Sequence, residues 1–391
     1  TEKAESIPMI LMKINIIGGG IGGLATAIAL QQQGHQVTVY ENAPAFKPLG
    51  AGLVMAANAM KALQVIGIAE AVAQVGKPLA KGAILDARGK VISRVDVATI
   101  TQRFGMHNFT IHRAALHEIL LGCLRPGTVV NSKKCVGVAQ DQTGVTVHFA
   151  DGSSDVADCL LACDGIRSVV RQQLVPDSRI RYAGHACWRA VTEVQPDKVD
   201  MENFTESWDT AGRFGIAPLA GNQVYWYACL NVPQDSPEAK AFTIPDLYER
   251  FKQFHDPVPY LLQNTPNEKL LLNDIVDFKP LRRLAFGKIL LMGDAGHATT
   301  PNMGQGACQA IEDAAVLLKL LGTHAHVEED FKAFEQKRLK RTEKINTLSW
   351  QIGKLAHVKN PFLAQVRNTV MRLLPDSVNN RQVAFLYDVA F

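Results

Sequence analysis

Residues 13–23 read KINIIGGGIGG, an apolar run that collapses directly into glycines. KINII has the length of a short buried strand. The following GGLATAIALQQQG carries apolar residues at helical spacing and stops at Gly34. Between strand and helix, Gly18, Gly20 and Gly23 form a GxGxxG pattern. The first glycine permits the tight turn, the second lets a pyrophosphate approach the backbone, and the third lets helix and strand pack closely. The helix start then offers unpaired N–H groups to phosphate. A second, alternating strand, HQVTVYE, ends in Glu41, where an acidic side chain binds adenosine ribose hydroxyls. A glycine-rich turn between packed elements would leave Glu41 as coincidence, so the order predicts a dinucleotide site. It does not choose between NAD and FAD.

The chain has 391 residues, enough for two intertwined domains. A formal net charge of +4 is far from a nucleic-acid-binding stripe. The basic KRLKR at 337–341 reads as a solvated helix face. The seven cysteines are scattered, odd in number and without a CxxC pair, which indicates neither a disulfide framework nor a metal site. Cys159 and Cys163 are expected as packed thiols, and free thiols suit a reducing cytoplasm. No apolar run has the length of a membrane span, and TEKAESIPMILMK lacks the order of a signal peptide.

Two later motifs choose FAD. In KILLMGDAGHATTPNMGQGACQAIEDAAVLLKLL (288–321), a buried strand runs into Asp294, and Gly304-Gln305-Gly306 opens an amphipathic helix. An acid at a strand end can accept hydrogen bonds from a sugar-like chain, while the helix start offers N–H donors and a positive dipole end. In DCLLACDGIRSVVRQQL (158–174), another strand ends in Asp164-Gly165, with Arg171 following. A ligand long enough to touch all three motifs is FAD.

In this order and spacing the three motifs resemble the class A flavoprotein monooxygenases, the family of the hydroxybenzoate and salicylate hydroxylases. The likeness spans about Lys13 to Lys340. It implies an α/β fold in which a Rossmann-like FAD-binding domain interleaves with an antiparallel-sheet substrate domain, followed by C-terminal helices. The expected boundaries are 11–80, 110–175 and 281–341 for FAD, 81–109 and 176–280 for substrate, and 342–391 for the C-terminal helical segment. That segment is expected to dock on the core or to form a subunit contact. GAGLVMAANAMKAL (50–63) resembles the loop and helix beside the flavin, with Gly52 allowing close approach; Ala57 stands where the family usually has proline. In the same likeness Arg113 reaches the FAD phosphates, Cys135 passes the adenine through its backbone, and Pro301 shapes the reactive side of the flavin. His297 is expected to be structural.

Residues 176–280 alternate apolar and polar positions, broken by Gly and Pro, as an antiparallel sheet does. Arg213 in GRFGIAP and Tyr225 on the next strand could together hold an anionic aromatic substrate, an arrangement similar to urate hydroxylases of the family. Trp188, Trp226 and Tyr227 are expected to pack.

The resemblance implies an NAD(P)H-dependent monooxygenase that hydroxylates a small aromatic or heteroaromatic substrate with O₂ through a flavin C4a-hydroperoxide. It implies a cytoplasmic monomer or homodimer with no nucleic acid partner. An epoxidase or antibiotic-modifying monooxygenase on the same scaffold is the alternative, as is a flavin reductase without oxygen transfer. A halogenase is disfavoured by the missing WxWxIP motif, and a non-catalytic scaffold by the retained Asp164, Arg171 and Asp294.

Overall fold

The computed structural model describes residues 11–47, 50–95, 101–103, 105–375 and 384–391. The signal-peptide question at Thr1–Ile10 and part of the 81–109 stretch lie outside the described residues.

Strand Lys13–Ile17 is central to a six-stranded sheet, flanked by Gln36–Tyr40 and Cys159–Ala162 in parallel register. Ile289–Leu291 extends it in parallel beyond Cys159–Ala162. Each of the three motif strands therefore ends at the same edge, which brings Gly18, Asp164 and Asp294 together from distant sequence. Helix Ile21–Gln32 packs against helix Gly306–Leu320, and Gly22 lets them approach, since a Cβ there would lie 3.1 Å from that of Ala310. A mixed α/β fold with parallel and antiparallel sheets is what the motifs implied.

A seven-stranded sheet has the order Leu271–Phe278, Ile180–Glu193, Gln223–Leu230, Gly212–Pro218, Asn203–Asp209, Lys81–Asp86 and Val91–Val95. Its pairs are antiparallel except Asn203–Asp209 with Lys81–Asp86, which run parallel. That parallel pair departs from the purely antiparallel expectation. Strand alternation gives the sheet two unlike faces. One buries Trp188, Phe214, Trp226 and Leu230 against Leu247, Phe251 and Leu261 of helices Ile244–Phe251 and Val258–Gln263. Trp188 and Trp226 thus pack as expected. The other face carries Cys187, Arg189, Arg213, Tyr225, Tyr227 and Cys229 and turns toward the first sheet.

Helix Val327–Ala356 runs unbroken past 341. Within KRLKR, Lys337 and Lys340 are exposed, but Arg338 is buried and donates to Glu312 and to Asp313 at 2.6 Å. The solvated-face expectation fails for Arg338 because its position points at two buried carboxylates of helix Gly306–Leu320. Arg341 also donates to Glu312, at 2.7 Å, and to the carbonyls of Phe385 and Leu386, which docks the chain end on the core.

Candidate active site

The fingerprint has the geometry its glycines permit. Gly18 adopts φ +104°, and a Cβ on Gly23 would run into the Gly18 carbonyl. Gly20 caps helix Ile21–Gln32 with open space around it. The Glu41 carboxylate lies over this turn, accepting from Gly19 N at 2.8 Å and Ala43 N at 2.7 Å. Gly52, on strand Gly52–Met55, sits beneath the second sheet: a Cβ there would lie 2.6 Å from the Tyr225 ring.

At the second motif, Asp164 Oδ2 accepts from Val169 N at 2.9 Å, while buried Oδ1 has no partner. Burial raises its carboxyl. An acceptor withheld from water and protein is one that a ligand's donor can satisfy. Arg171 turns inward instead: it donates to the carbonyls of Ile166 and Ala295 and stacks 4.2 Å over Phe278, bracing the second motif against the third. Cys135 is buried on strand Cys135–Gln140, its thiol pushed up to about 11, first by burial.

At the third motif, Asp294 is exposed although the surrounding protein raises its carboxyl, first through burial. His297, then Arg113 and Arg171, draw the carboxyl back toward ionisation. The Arg113 guanidinium has no protein hydrogen bond among the described residues and feels Asp294. Gly304 turns at φ +63°, and buried Gln305 precedes the helix beginning at Gly306. Gln305 Oε1 accepts from Asn58 and Gln309, both at 2.9 Å. The orphaned Asp164 oxygen, the unpartnered Arg113, the exposed acid Asp294 and two helix starts suit the length and polarity of FAD. His297 is buried against Asp313 at 2.7 Å, a structural contact.

Ala57 has a consequence of its own. Its N–H donates to the buried Asn108 Oδ1 at 2.7 Å, a bond that proline at this helix start could not make.

On the second sheet, hairpin register aligns Trp208, Arg213, Cys229 and Cys187 in one row, and Glu206, Gly215, Tyr227 and Arg189 in the next. Arg213 is 3 % exposed and does not stand free as the sequence suggested. Its Nε donates to Glu206 Oε1 at 2.5 Å and its Nη1 to Asn302 Oδ1 at 2.7 Å. Burial works against the guanidinium's charge, and Glu206 more than offsets it. Trp208 Nε1 donates to Glu206 Oε1 at 2.8 Å, and the Tyr227 hydroxyl to Oε2 at 2.7 Å. Gly215 is required here, because any Cβ would occupy the Tyr227 ring. Tyr225 is on the same face but two residues further along its strand; its electrostatic neighbours are Cys187 and Arg189, and burial is the first cause raising its hydroxyl. Arg213 and Tyr225 share a wall, and each has Cys229 as an electrostatic neighbour. Pro301 is exposed and begins the turn Pro301–Met303, which presents Asn302 to Arg213.

Glu206 and Asn302 were missed in the sequence, and Tyr227 was expected only to pack. The available signal was the hairpin: a two-residue turn at Thr210-Ala211 puts Glu206, Trp208 and Arg213 on one face by alternation alone.

The model of the FAD binding domain family matches residues 12–349. The chain belongs to that family. It is a FAD-dependent monooxygenase, with NAD(P)H as reductant in the manner typical of the family. The flavoprotein is 37% identical over 366 residues to an aurachin C monooxygenase/isomerase of Stigmatella aurantiaca, covering 93% of this chain and 94% of that one. It is 31% identical over 356 residues to a FAD-dependent urate hydroxylase of Klebsiella pneumoniae, covering 90% and 93%. The crystal structure of Klebsiella pneumoniae HpxO with FAD and uric acid superposes with a TM-score of 0.90 at 28% identity, covering 96% of each chain. No helix among the described residues is long and apolar enough to cross a membrane.

Proposed function

We propose that this monooxygenase oxygenates an uncharged, electron-rich heteroaromatic ring that carries an N–H or O–H group. The observation that carries this reading is the closed Arg213–Glu206–Tyr227 network. Arg213 is neutralised by Glu206 and so offers no free charge to a carboxylate, while Arg189 further along the same face donates to Asn273 Oδ1 at 2.6 Å. The Tyr227 hydroxyl donates its hydrogen bond to Glu206, so its oxygen is left to accept from a substrate N–H or O–H. One named relative is a urate hydroxylase and another an aurachin C monooxygenase/isomerase.

In this reading the Gly18–Gly23 turn and Glu41 hold the ADP half of FAD. Arg113 faces the phosphates, and Asp164 and Asp294 take the polar chain. The N–H groups at Gln305 and Gly306 face the ring, with Gly52 and Pro301 beside it. Bound FAD supplies the reduction by NAD(P)H and the activation of O₂ for transfer of one oxygen atom. The protein's part is to seat the substrate between Tyr225, Tyr227 and the Pro301 turn and to keep water out. The strands of 81–109 and 176–280 supply the substrate wall, and 11–80, 110–175 and 281–341 the FAD wall. The enzyme acts in the cytoplasm as a monomer or homodimer, in keeping with seven free cysteines.

The test is NAD(P)H oxidation in air with a neutral 4-quinolone, urate, salicylate and a hydroxybenzoate. Strong stimulation by the quinolone with an oxygenated product supports the reading. Preference for salicylate or hydroxybenzoate refutes the uncharged-substrate claim, and unstimulated oxidation ending in H₂O₂ refutes oxygen transfer.

A further inference from the structure

Helix Pro361–Leu373 presents an unusual surface. Phe362 (73 % exposed), Leu363, Val366, Val370 and Leu373 (78 %) all face outward, followed by Leu374. At about 100° per residue they form one continuous stripe, the pattern of a helix that covers an apolar surface. The opposite face is seated. Ala364 and Arg367 are buried, Met371 packs with Trp208 and Ile92, and Arg372 donates to Asp86 at 2.5 Å. Arg367 also donates to the carbonyls of Leu355 and Ala356, tying the helix to the end of the preceding one. The helix is thus held on its inner side while its outer side stays apolar.

Charge says what covers that side. Between Glu343 and Asp376 the chain contains no acid; of its cations, Arg367 and Arg372 face inward, and Lys354 and Lys359 do not. Lys354 and Lys359 are exposed beside the start of the stripe. An apolar stripe flanked by lysines and free of acids is complementary to anionic lipid headgroups over an acyl boundary.

We propose that helix Pro361–Leu373 docks the protein, in the plane of the interface, on an anionic membrane surface. The inner side of this helix reaches the candidate active site through one residue. Arg367 stacks 5.0 Å from the Trp208 ring, and Trp208 donates to Glu206 of the polar wall. A docked helix therefore places the lipid surface next to the substrate wall, which suits a lipophilic ring. That last consequence rests on the proposed function; the docking itself does not.

The experiment is co-sedimentation of the holoenzyme with vesicles of phosphatidylcholine alone and of phosphatidylcholine mixed with phosphatidylglycerol, at low and high salt. Phe362→Glu/Leu373→Glu and Lys354→Glu/Lys359→Glu are run beside the parent, with oligomeric state measured by light scattering. The expected result is binding to the mixed vesicles only, weakened by salt, and reduced at least roughly tenfold by each double substitution. NAD(P)H oxidation with a water-soluble substrate stays at the parent level in both variants, which shows that they fold. Absence of binding to mixed vesicles overturns the proposal. So does a parent dimer that Phe362→Glu/Leu373→Glu converts to monomer, since a second copy would then cover the stripe. None of these readings depends on which ring is oxygenated, so docking and substrate class fail separately.

Discussion

Glu206 sets the charge that a substrate meets, because it holds three donors at once and leaves Arg213 without a free charge. Replacing it by glutamine strips the counter-charge from a buried guanidinium. Glu206→Gln is expected to lose about 3–5 kcal/mol of stability by urea unfolding, the cost of breaking a buried pair. In the folded fraction, the ratio of kcat/KM for salicylate over a neutral quinolone should rise; a ratio that stays put would detach Glu206 from substrate choice. Ala57 offers a second check. Ala57→Pro restores the residue usual in the family but removes the N–H that Asn108 accepts. It should destabilise by about 1–3 kcal/mol, the cost of an orphaned buried acceptor, where a loop proline elsewhere stabilises. The tight turn at Gly18 and Gly23 was readable because it is encoded within a few residues of sequence. The Arg213–Glu206 bond was not, because it depends on hairpin register rather than on local residue type.

Between elements, helix Val327–Ala356 is locked to helix Gly306–Leu320 by Arg338 and Arg341 on Glu312 and Asp313. Burial pushes these carboxyls up, and the cationic partners more than offset it, so both lie below their ordinary values. A carboxylate with a lowered folded pKa contributes stability above its unfolded value and loses it as pH falls. Arg338→Met should therefore cost about 3–5 kcal/mol near neutral pH, with the deficit shrinking toward pH 3 as the carboxyls protonate. The same helix ends at His357, which stacks on His185 of strand Ile180–Glu193 with ring centroids 3.8 Å apart. Burial lowers His185 to about 4 and His357 further. A histidine lowered in the folded state contributes stability above its unfolded pKa, here near 6.5, and loses it as pH falls toward the folded value. Stability is expected to decline from pH 6.5 to pH 4, by roughly 3 kcal/mol for His185. Thermal unfolding across that range should show a shallower slope in His185→Asn. This stack was illegible in the sequence, because the residues are far apart and meet only once the long helix crosses the sheet.

Across the whole molecule, a parallel sheet gathers three loop motifs at one edge, and a second sheet turns its polar face over them. The fold was legible because the motifs occur in order and each strand end carries its own acid or glycine. What lay beyond the sequence was the neutralisation of Arg213, where a lone arginine in an apolar strand reads as a free cation until its partner strand is placed. Organisation at this scale exists to direct oxygen to substrate and away from water. The most direct measurement is coupling: oxygenated product formed per NAD(P)H oxidised, with a neutral 4-quinolone as substrate and H₂O₂ quantified in parallel. A ratio approaching one, with little peroxide, is expected for a wall that seats the uncharged ring. A ratio near zero with the quinolone, alongside efficient coupling with salicylate or urate, would contradict it.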